Sequence, residues 1–494
     1  MRAFAARSLN REGVKAHDLK VLLAGLLLLS SLRCDDAGRG FVPSTDTVAR
    51  DSVATPPIEA FFPVPSRPQL DWQNDMLGMF VCLGINTFTN SEIGSGRESP
   101  LLFNPTSLDA TQWVRIAQET GFKNIVLTVK HVDGFCLWPS NYTEYCIRSS
   151  LYKGGKGDIV REFADACHQA GMKFGFYIAP WDRHEPSFGT AAYNTFYQNQ
   201  LIELLTNYGD IDEVWLDGAN GTGAGGRTQE YDWGLFYSTI RYYQPGALIA
   251  CSGPDIRTIG NETGIGNTTE WSPQQTSFPN VPAGAVWYPS ECDVSIRPGW
   301  FYHEAENGQI KTVRQLVDIY LGSVGRNSNL LLNVPPAADG LISPLDEARL
   351  HDWKTELDRM FGHDFLPGAQ AQSSNTRRSL PSYSPGNCFD DNPDTFWTTD
   401  RDTLSATITV NLSHAATVNL IRLEEAIVYG QRIKAFSCAA SVNGTWVPVT
   451  SGTTIGRTRI LYFPAVTTPA LRLSILGSFQ SPTLRTFSAY FTDD

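Results

Sequence analysis

Two acidic residues stand where the sequence could do chemistry. Asp217 ends the run Glu213-Val-Trp-Leu-Asp217-Gly. An aspartate closing an apolar strand is costly if it points inward, so it either faces a rim or caps the next loop. Glu262 sits in Pro254-Asp-Ile-Arg-Thr-Ile-Gly-Asn-Glu262-Thr-Gly-Ile-Gly-Asn, a glycine-rich stretch after the next apolar run. Two carboxylates on neighbouring loops are the minimum equipment for breaking a glycosidic bond. One attacks the anomeric carbon, and the other, kept protonated, donates to the leaving oxygen. Glu262 reads equally as a solvated loop residue, and Glu270 and Glu291 compete for the acid's part. His131 and Asp133, in Lys130-His-Val-Asp-Gly-Phe135, directly follow another apolar run. A histidine there either donates to a sugar hydroxyl or is a satisfied structural residue. Tyr177, Trp181 and Trp215 are ring faces for a sugar or ordinary core.

Rival chemistries lack their signatures. There is no G-x-S-x-G, no H-E-x-x-H and no kinase set. No Walker loop is present, and no G-x-G-x-x-G joins a predicted strand directly to a helix, so a nucleotide cofactor is not expected. His, Cys and Asp are not grouped at metal-ligand spacing, so no metal is expected either. Reaction through side chains alone, with no cofactor, is what remains.

The elements that must position these residues repeat at about 40 residues, helix, glycine, strand. Asp109 is placed to cap a helix from Ala110 to Thr120, Gly121 to end it, and Phe122 to Val129 to follow as a strand. The unit recurs as a helix over Asp158 to Ala170 with a strand over Met172 to Ile178, then Tyr197 to Tyr208 with Glu213 to Leu216. Trp233 to Tyr243 with Ala247 to Cys251, and Val313 to Val324 with Leu330 to Val334, continue it. Such alternation builds a parallel sheet, and the length available favours a (β/α)8-like barrel over residues 67–366. In a barrel the residues just after each strand line one mouth, here His131, Asp133, Tyr177, Asp182, Asp217 and the stretch from Asp255 to Glu262. After Leu366-Pro-Gly the helical period stops, and Thr- and Val-rich runs at 406–411, 418–423 and 471–475 predict a C-terminal antiparallel β-sandwich over 367–494.

The 494 residues carry a net charge of −12 and no basic run, which disfavours nucleic acid as a partner. Residues 1–33 read as a signal peptide: Arg2, Arg7, Arg11, Lys15 and Lys20 precede the short apolar run Val21 to Leu29. That run is too short to span a membrane, and no later stretch could, so a secreted or lumenal protein is expected. Residues 34–66, rich in Pro, Ser and Thr, read as a linker. Secretion would permit disulfides, with Cys136/Cys146 and Cys388/Cys438 as candidate pairs and buried free thiols as the alternative. Sequons at Asn141, Asn220, Asn261, Asn267, Asn411 and Asn443 would matter in a glycosylating pathway.

At its motif residues the chain resembles the α-L-fucosidases of glycoside hydrolase family 29, in the plant and bacterial branch acting on α-1,3/1,4-linked fucose. The similar stretches are Gly84-Ile-Asn-Thr-Phe-Thr89, Lys130-His-Val-Asp-Gly-Phe-Cys-Leu-Trp-Pro-Ser140, Pro180-Trp-Asp-Arg-His184, Leu204-Leu-Thr-Asn-Tyr-Gly209, Glu213 to Gly218, Glu291 to Trp300 and Leu331-Leu-Asn-Val-Pro-Pro336. The resemblance implies retaining hydrolysis of terminal fucose on an oligosaccharide or glycoconjugate. It implies Asp217 as nucleophile and Glu262 as acid/base, with Glu291 in reserve. It also implies His131, Tyr177 and Trp215 around the sugar, with Glu92, Cys82 and Trp300 at the site. The segment Cys388 to Trp397 resembles discoidin-like carbohydrate-binding sandwiches, whose plainer role is to buttress the barrel.

Departures from the pattern are specific. Cys82-Leu83-Gly84 stands for the usual His-Phe-Gly, Val132 for a second histidine, Ile93 for a tryptophan after Glu92, and Thr258 where Arg-Trp is common. Lost sugar contacts could together cost ~3 kcal/mol, about a hundredfold in rate. Two alternatives therefore accompany the fucosidase reading: a weakened carbohydrate-binding homologue, or a retaining glycosidase of altered sugar specificity.

Overall fold

A computed structural model describes residues 58–281 and 284–493 of the chain. The expected leader, Cys34 and residues 34–57 of the expected linker lie outside the described residues.

Capping side chains set the helices where the sequence places them. Asp109 accepts from the Thr111 amide at 2.9 Å and opens α3, Ala110–Glu119, after α1 (Arg67–Asp75) and the short α2 (Ile85–Thr89). Asp158 does the same for α4, Ile159–Ala170, which Gly171 ends at φ +64°. Helices α5 (Ala191–Asn207), α6 (Trp233–Tyr243), α7 (Val313–Gly322) and α8 (Pro344–Phe361) follow. The expected helix from Tyr197 starts a turn and a half earlier, because Tyr193 is buried and the first turn packs on the barrel.

Eight parallel strands form the barrel: β1 (Leu77–Val81), β2 (Asn124–Lys130), β3 (Lys173–Ile178), β4 (Glu213–Leu216), β5 (Leu248–Cys251), β6 (Arg257–Thr258), β9 (Ser290–Ser295) and β10 (Ser328–Asn333). Their order is β5-β4-β3-β2-β1-β10-β9-β6, and a bridge between Ala250 and Ile256 all but closes the ring. No helix separates β5 from β6. The return from β6 to β9 is a long loop carrying the antiparallel hairpin β7 (Pro273–Thr276) and β8 (Gly284–Trp287).

Strand alternation layers the barrel interior. On β4, Glu213 lies deepest, Trp215 above it, and Asp217 emerges just past the strand end. At the closed end, Trp72 of α1 donates its indole N–H to Glu213 at 3.2 Å, and Asn124 donates at 3.2 Å. The outer faces bury a continuous apolar layer against the helices, including Trp113, Phe163 and Trp353.

Residues beyond α8 form an antiparallel sheet domain in which β12 (Trp397–Thr398), β17 (Thr483–Tyr490), β13 (Ala406–Glu425), β16 (Arg459–Ser478), β14 (Ile433–Val442) and β15 (Thr445–Gly452) neighbour in that order. β11 (Gln370–Ser373) joins β13. Two runs expected as separate strands, 406–411 and 418–423, are one strand, because irregularities between Asn411 and Ala416 and between Val418 and Leu420 let it bend without breaking. The architecture is thus a (β/α)8-like barrel followed by a β-sandwich. All cysteines among the described residues are free thiols, so neither candidate disulfide is formed. Cys388 instead donates its thiol to Leu484 O at 3.3 Å. No helix among the described residues is long and apolar enough to cross a membrane.

Candidate active site

The carboxyl ends of the strands bring the sequence candidates together at one mouth. Asp217, half-buried, is held on both oxygens. The Tyr177 hydroxyl donates to Oδ2 at 2.5 Å, and the Ala219 amide donates to Oδ1 at 2.8 Å. Tyr177 comes from β3, which pairs with β4 so that Tyr177 lies opposite Trp215. Burial and the neighbouring Asp217 charge raise the Tyr177 hydroxyl above its ordinary range, so it remains a donor.

An aromatic floor surrounds these two residues. Tyr177 and Trp215 have ring centroids 5.3 Å apart, and Phe80 of β1 is 5.6 Å from Tyr177 and 5.8 Å from Trp215. His131, just past β2, stacks on Tyr177 at 6.0 Å and meets the edge of Phe301 at 5.1 Å. Burial depresses the His131 imidazole to about 4 despite the nearby Asp217 and Glu92 charges. It is therefore neutral at ordinary pH, and its Nδ1 pairs with Asn86 Nδ2 at 3.3 Å.

Glu262 lies on the loop after the two-residue strand β6, with a left-handed φ of +53°. Its carboxyl is raised above the usual range by partial burial first and then by the Asp293 charge; a hydrogen bond from Trp300 opposes this, and Asp217 adds to it. The Asp217 and Glu262 carboxyls are thus electrostatic neighbours in different settings. Asp217 is pinned by two donors, whereas Glu262 is exposed on its loop, its carboxyl shifted upward from the ordinary glutamate value.

Glu92 organises the wall that carries Trp300. Its Oε2 accepts from the Trp300 amide at 2.8 Å and its Oε1 pairs with His303 Nε2 at 2.6 Å. Glu291 lies on β9 beneath this layer, buried, accepting from the Trp215 indole at 2.9 Å. Burial raises its carboxyl well above the glutamate range, and it supports Trp215 from below.

Other rim acids are committed elsewhere. Asp133 is buried and accepts from the Phe135 amide at 2.8 Å. Asp182 pairs with buried Lys130 at 3.0 Å, Asp255 pairs with Arg241, and Glu270 pairs with Arg257. Two of the departures are apolar in effect. Cys82 is buried, its thiol lies 3.3 Å from Thr128 Oγ1, and burial pushes it up to about 12. Val132 is buried beside it in the same cluster as Tyr177, Trp215 and Phe301. Ile93 is half exposed, and Thr258 donates to Asp293 Oδ1 at 2.6 Å.

Sequence reasoning missed Asp293, Phe301 and His303. The signal for Asp293 was present: in Glu291-Cys292-Asp293 the two acids alternate on one strand, so both face the barrel interior, Asp293 nearer the mouth.

Residues 96–357 match the family described as alpha-L-fucosidase, and residues 369–486 match the F5/8 type C domain. An alpha-L-fucosidase 1 of Arabidopsis thaliana is 42% identical over 418 residues, covering 81% of this chain and 82% of its own. A glycoside hydrolase family 29 fucosidase of Ruminococcus gnavus, solved in complex with fucose, superposes with a TM-score of 0.83 at 31% identity, covering 89% of this chain and 97% of its own. The protein crystallised as SpGH29 gives a TM-score of 0.83 at 36% identity, covering 89% of this chain and 100% of its own.

Proposed function

The chain belongs to the α-L-fucosidase family of glycoside hydrolases, and from that premise we propose that it removes terminal α-linked L-fucose from glycans with retention, using Asp217 and Glu262. Asp217 attacks the anomeric carbon as the bond to the leaving oxygen breaks. Glu262 gives its proton to that oxygen. The covalent fucosyl-enzyme is then opened by water, whose proton returns to Glu262, and fucose leaves with its original anomeric configuration. Tyr177 and Ala219 N–H aim the Asp217 carboxylate, and the Phe80, Tyr177 and Trp215 rings offer an apolar bed for a deoxy-sugar face.

One observation carries this reading: at the barrel mouth the Asp217 carboxylate is held by two donors, with a second carboxyl, Glu262, on the loop after β6; the upward shift of Glu262 supports it. Proton NMR of the first fucose released from an aryl α-L-fucoside tests it. The α-anomer appearing first supports retention, and the β-anomer appearing first overturns it.

A second reading has its own support. The buried Cys82 thiol and Val132 give the barrel mouth an apolar wall, which fits a sugar with fewer hydroxyls on that side. A panel of aryl glycosides separates the two, with the preferred sugar giving the highest kcat/KM. The charged leader and its short apolar run support secretion, and exposed sequons such as Asn443 support glycosylation in that route.

A further inference from the structure

We infer that the C-terminal sandwich acts in catalysis at a distance: Gln431, with Thr454 and Arg459, positions the loop that carries Glu262. This rests on the reading of Glu262 as the acid/base. The loop hangs from β6, a strand of two residues, and so has little ladder of its own. Its two feet, Arg257 and Glu270, are joined by a buried ion pair.

The sandwich grips the second foot. Gln431 is fully buried; its Nε2 donates to Glu270 O at 2.9 Å and its Oε1 accepts from the Ser272 amide at 2.8 Å. Thr454 Oγ1 accepts from the Glu270 amide at 3.2 Å. Arg459 donates to Thr268 O at 2.9 Å, and Thr453 and Thr269 share a hydroxyl hydrogen bond of 2.7 Å. Asn327 of the barrel ties both sides, donating to Glu270 O at 3.2 Å and accepting from the Arg457 amide at 2.6 Å.

These bonds fall on 268–272, six to ten residues past Glu262; they supply acceptors for the Glu270 and Ser272 amides and share Glu270 O with Asn327. Removing them loosens the foot on its sandwich side, leaving Asn327, Arg257 and the bonds of Gly266 to Gly322 and Arg326 as barrel anchors, and lets Glu262 drift from the leaving oxygen. A displacement of an ångström is enough to weaken general acid catalysis. Asp217, just past β4, is held independently by Tyr177 and Ala219.

The test compares leaving groups on the full chain. A 2,4-dinitrophenyl fucoside needs little protonation, whereas a fucosyl disaccharide needs a general acid. Gln431→Ala should lose about tenfold or more of kcat/KM on the disaccharide and under about threefold on the activated fucoside. Thr454→Val and Arg459→Lys, milder changes, carry the same comparison should Gln431→Ala fail to fold. Glu262→Gln is the control and should show the same split more strongly. A control without the split overturns the acid/base reading itself. A control with the split, beside folded Gln431 or Thr454 variants that lose both substrates equally or neither, overturns only the sandwich's part.

Discussion

Tyr177 of β3 donates its phenolic proton over 2.5 Å to Asp217, which lies just past the end of the adjacent parallel strand β4. A bond to a charged acceptor is worth about 1.5–3 kcal/mol. Tyr177→Phe keeps the ring in its stack with Trp215 and removes only this donor. It should lower kcat on an aryl fucoside by about ten- to a hundredfold with little change in melting temperature. Steady-state kinetics beside a thermal melt reads both.

The acid/base assignment makes a pH prediction. Activity falls at high pH as Glu262 loses its proton, and its raised carboxyl moves that limb upward from the ordinary glutamate value. The second cause, after burial, is the Asp293 charge. Asp293→Asn removes that charge, so the basic limb of kcat/KM should move to lower pH. Burial remains, so the shift is partial. A pH–rate profile of the two proteins checks it, and an unmoved limb speaks against Asp293 as Glu262's electrostatic neighbour.

Much of this site was legible in the sequence, and the reason is local. Glu213 to Leu216 and Trp233 to Tyr243 are predicted to the residue because each is an unbroken apolar or helical pattern with a stop beside it. The strand β1, Leu77–Val81, and the eighteen-residue α8 were not named, although both build the barrel. β6 is two residues long and held by β9, so its existence depends on partners far along the chain. The same distance hid the grip of Gln431, since contacts more than a hundred residues apart leave no spacing to read. Asp182 was placed correctly at the mouth, yet Lys130 claims it, a pairing that only the folded geometry decides.

The deep barrel layer couples stability to pH. Burial, opposed by the Trp72 indole and aided by Asp212, pushes the Glu213 carboxyl from 4.5 to about 8. A raised folded value means the native state holds the proton that the unfolded state has lost. This contribution is complete below the unfolded value and is lost as pH rises toward about 8. Glu213→Gln should remove it, so its melting temperature should gain on wild type between pH 5 and about 8. A gap that stays constant across that range would contradict a neutral Glu213.

Restoring a donor at the apolar wall tests how the departures act. Val132→His should raise kcat/KM on an aryl α-L-fucoside by up to about tenfold, the worth of one hydrogen bond of ~1.4 kcal/mol. The added bulk will cost stability, since Val132 is buried among Tyr177, Trp215 and Phe301. Unchanged fucoside activity, with another sugar still preferred, would favour the altered-specificity reading.

The pairing of Asp217 with Glu262 is tested most directly by replacing the first with glycine and supplying azide. Asp217→Gly should be inactive on an aryl α-L-fucoside alone. With azide it should yield β-fucosyl azide, because the small anion fills the vacated carboxylate's place and attacks from its side while Glu262 remains intact. Turnover within about tenfold of wild type without azide would mean the carboxylate of Asp217 is not the nucleophile.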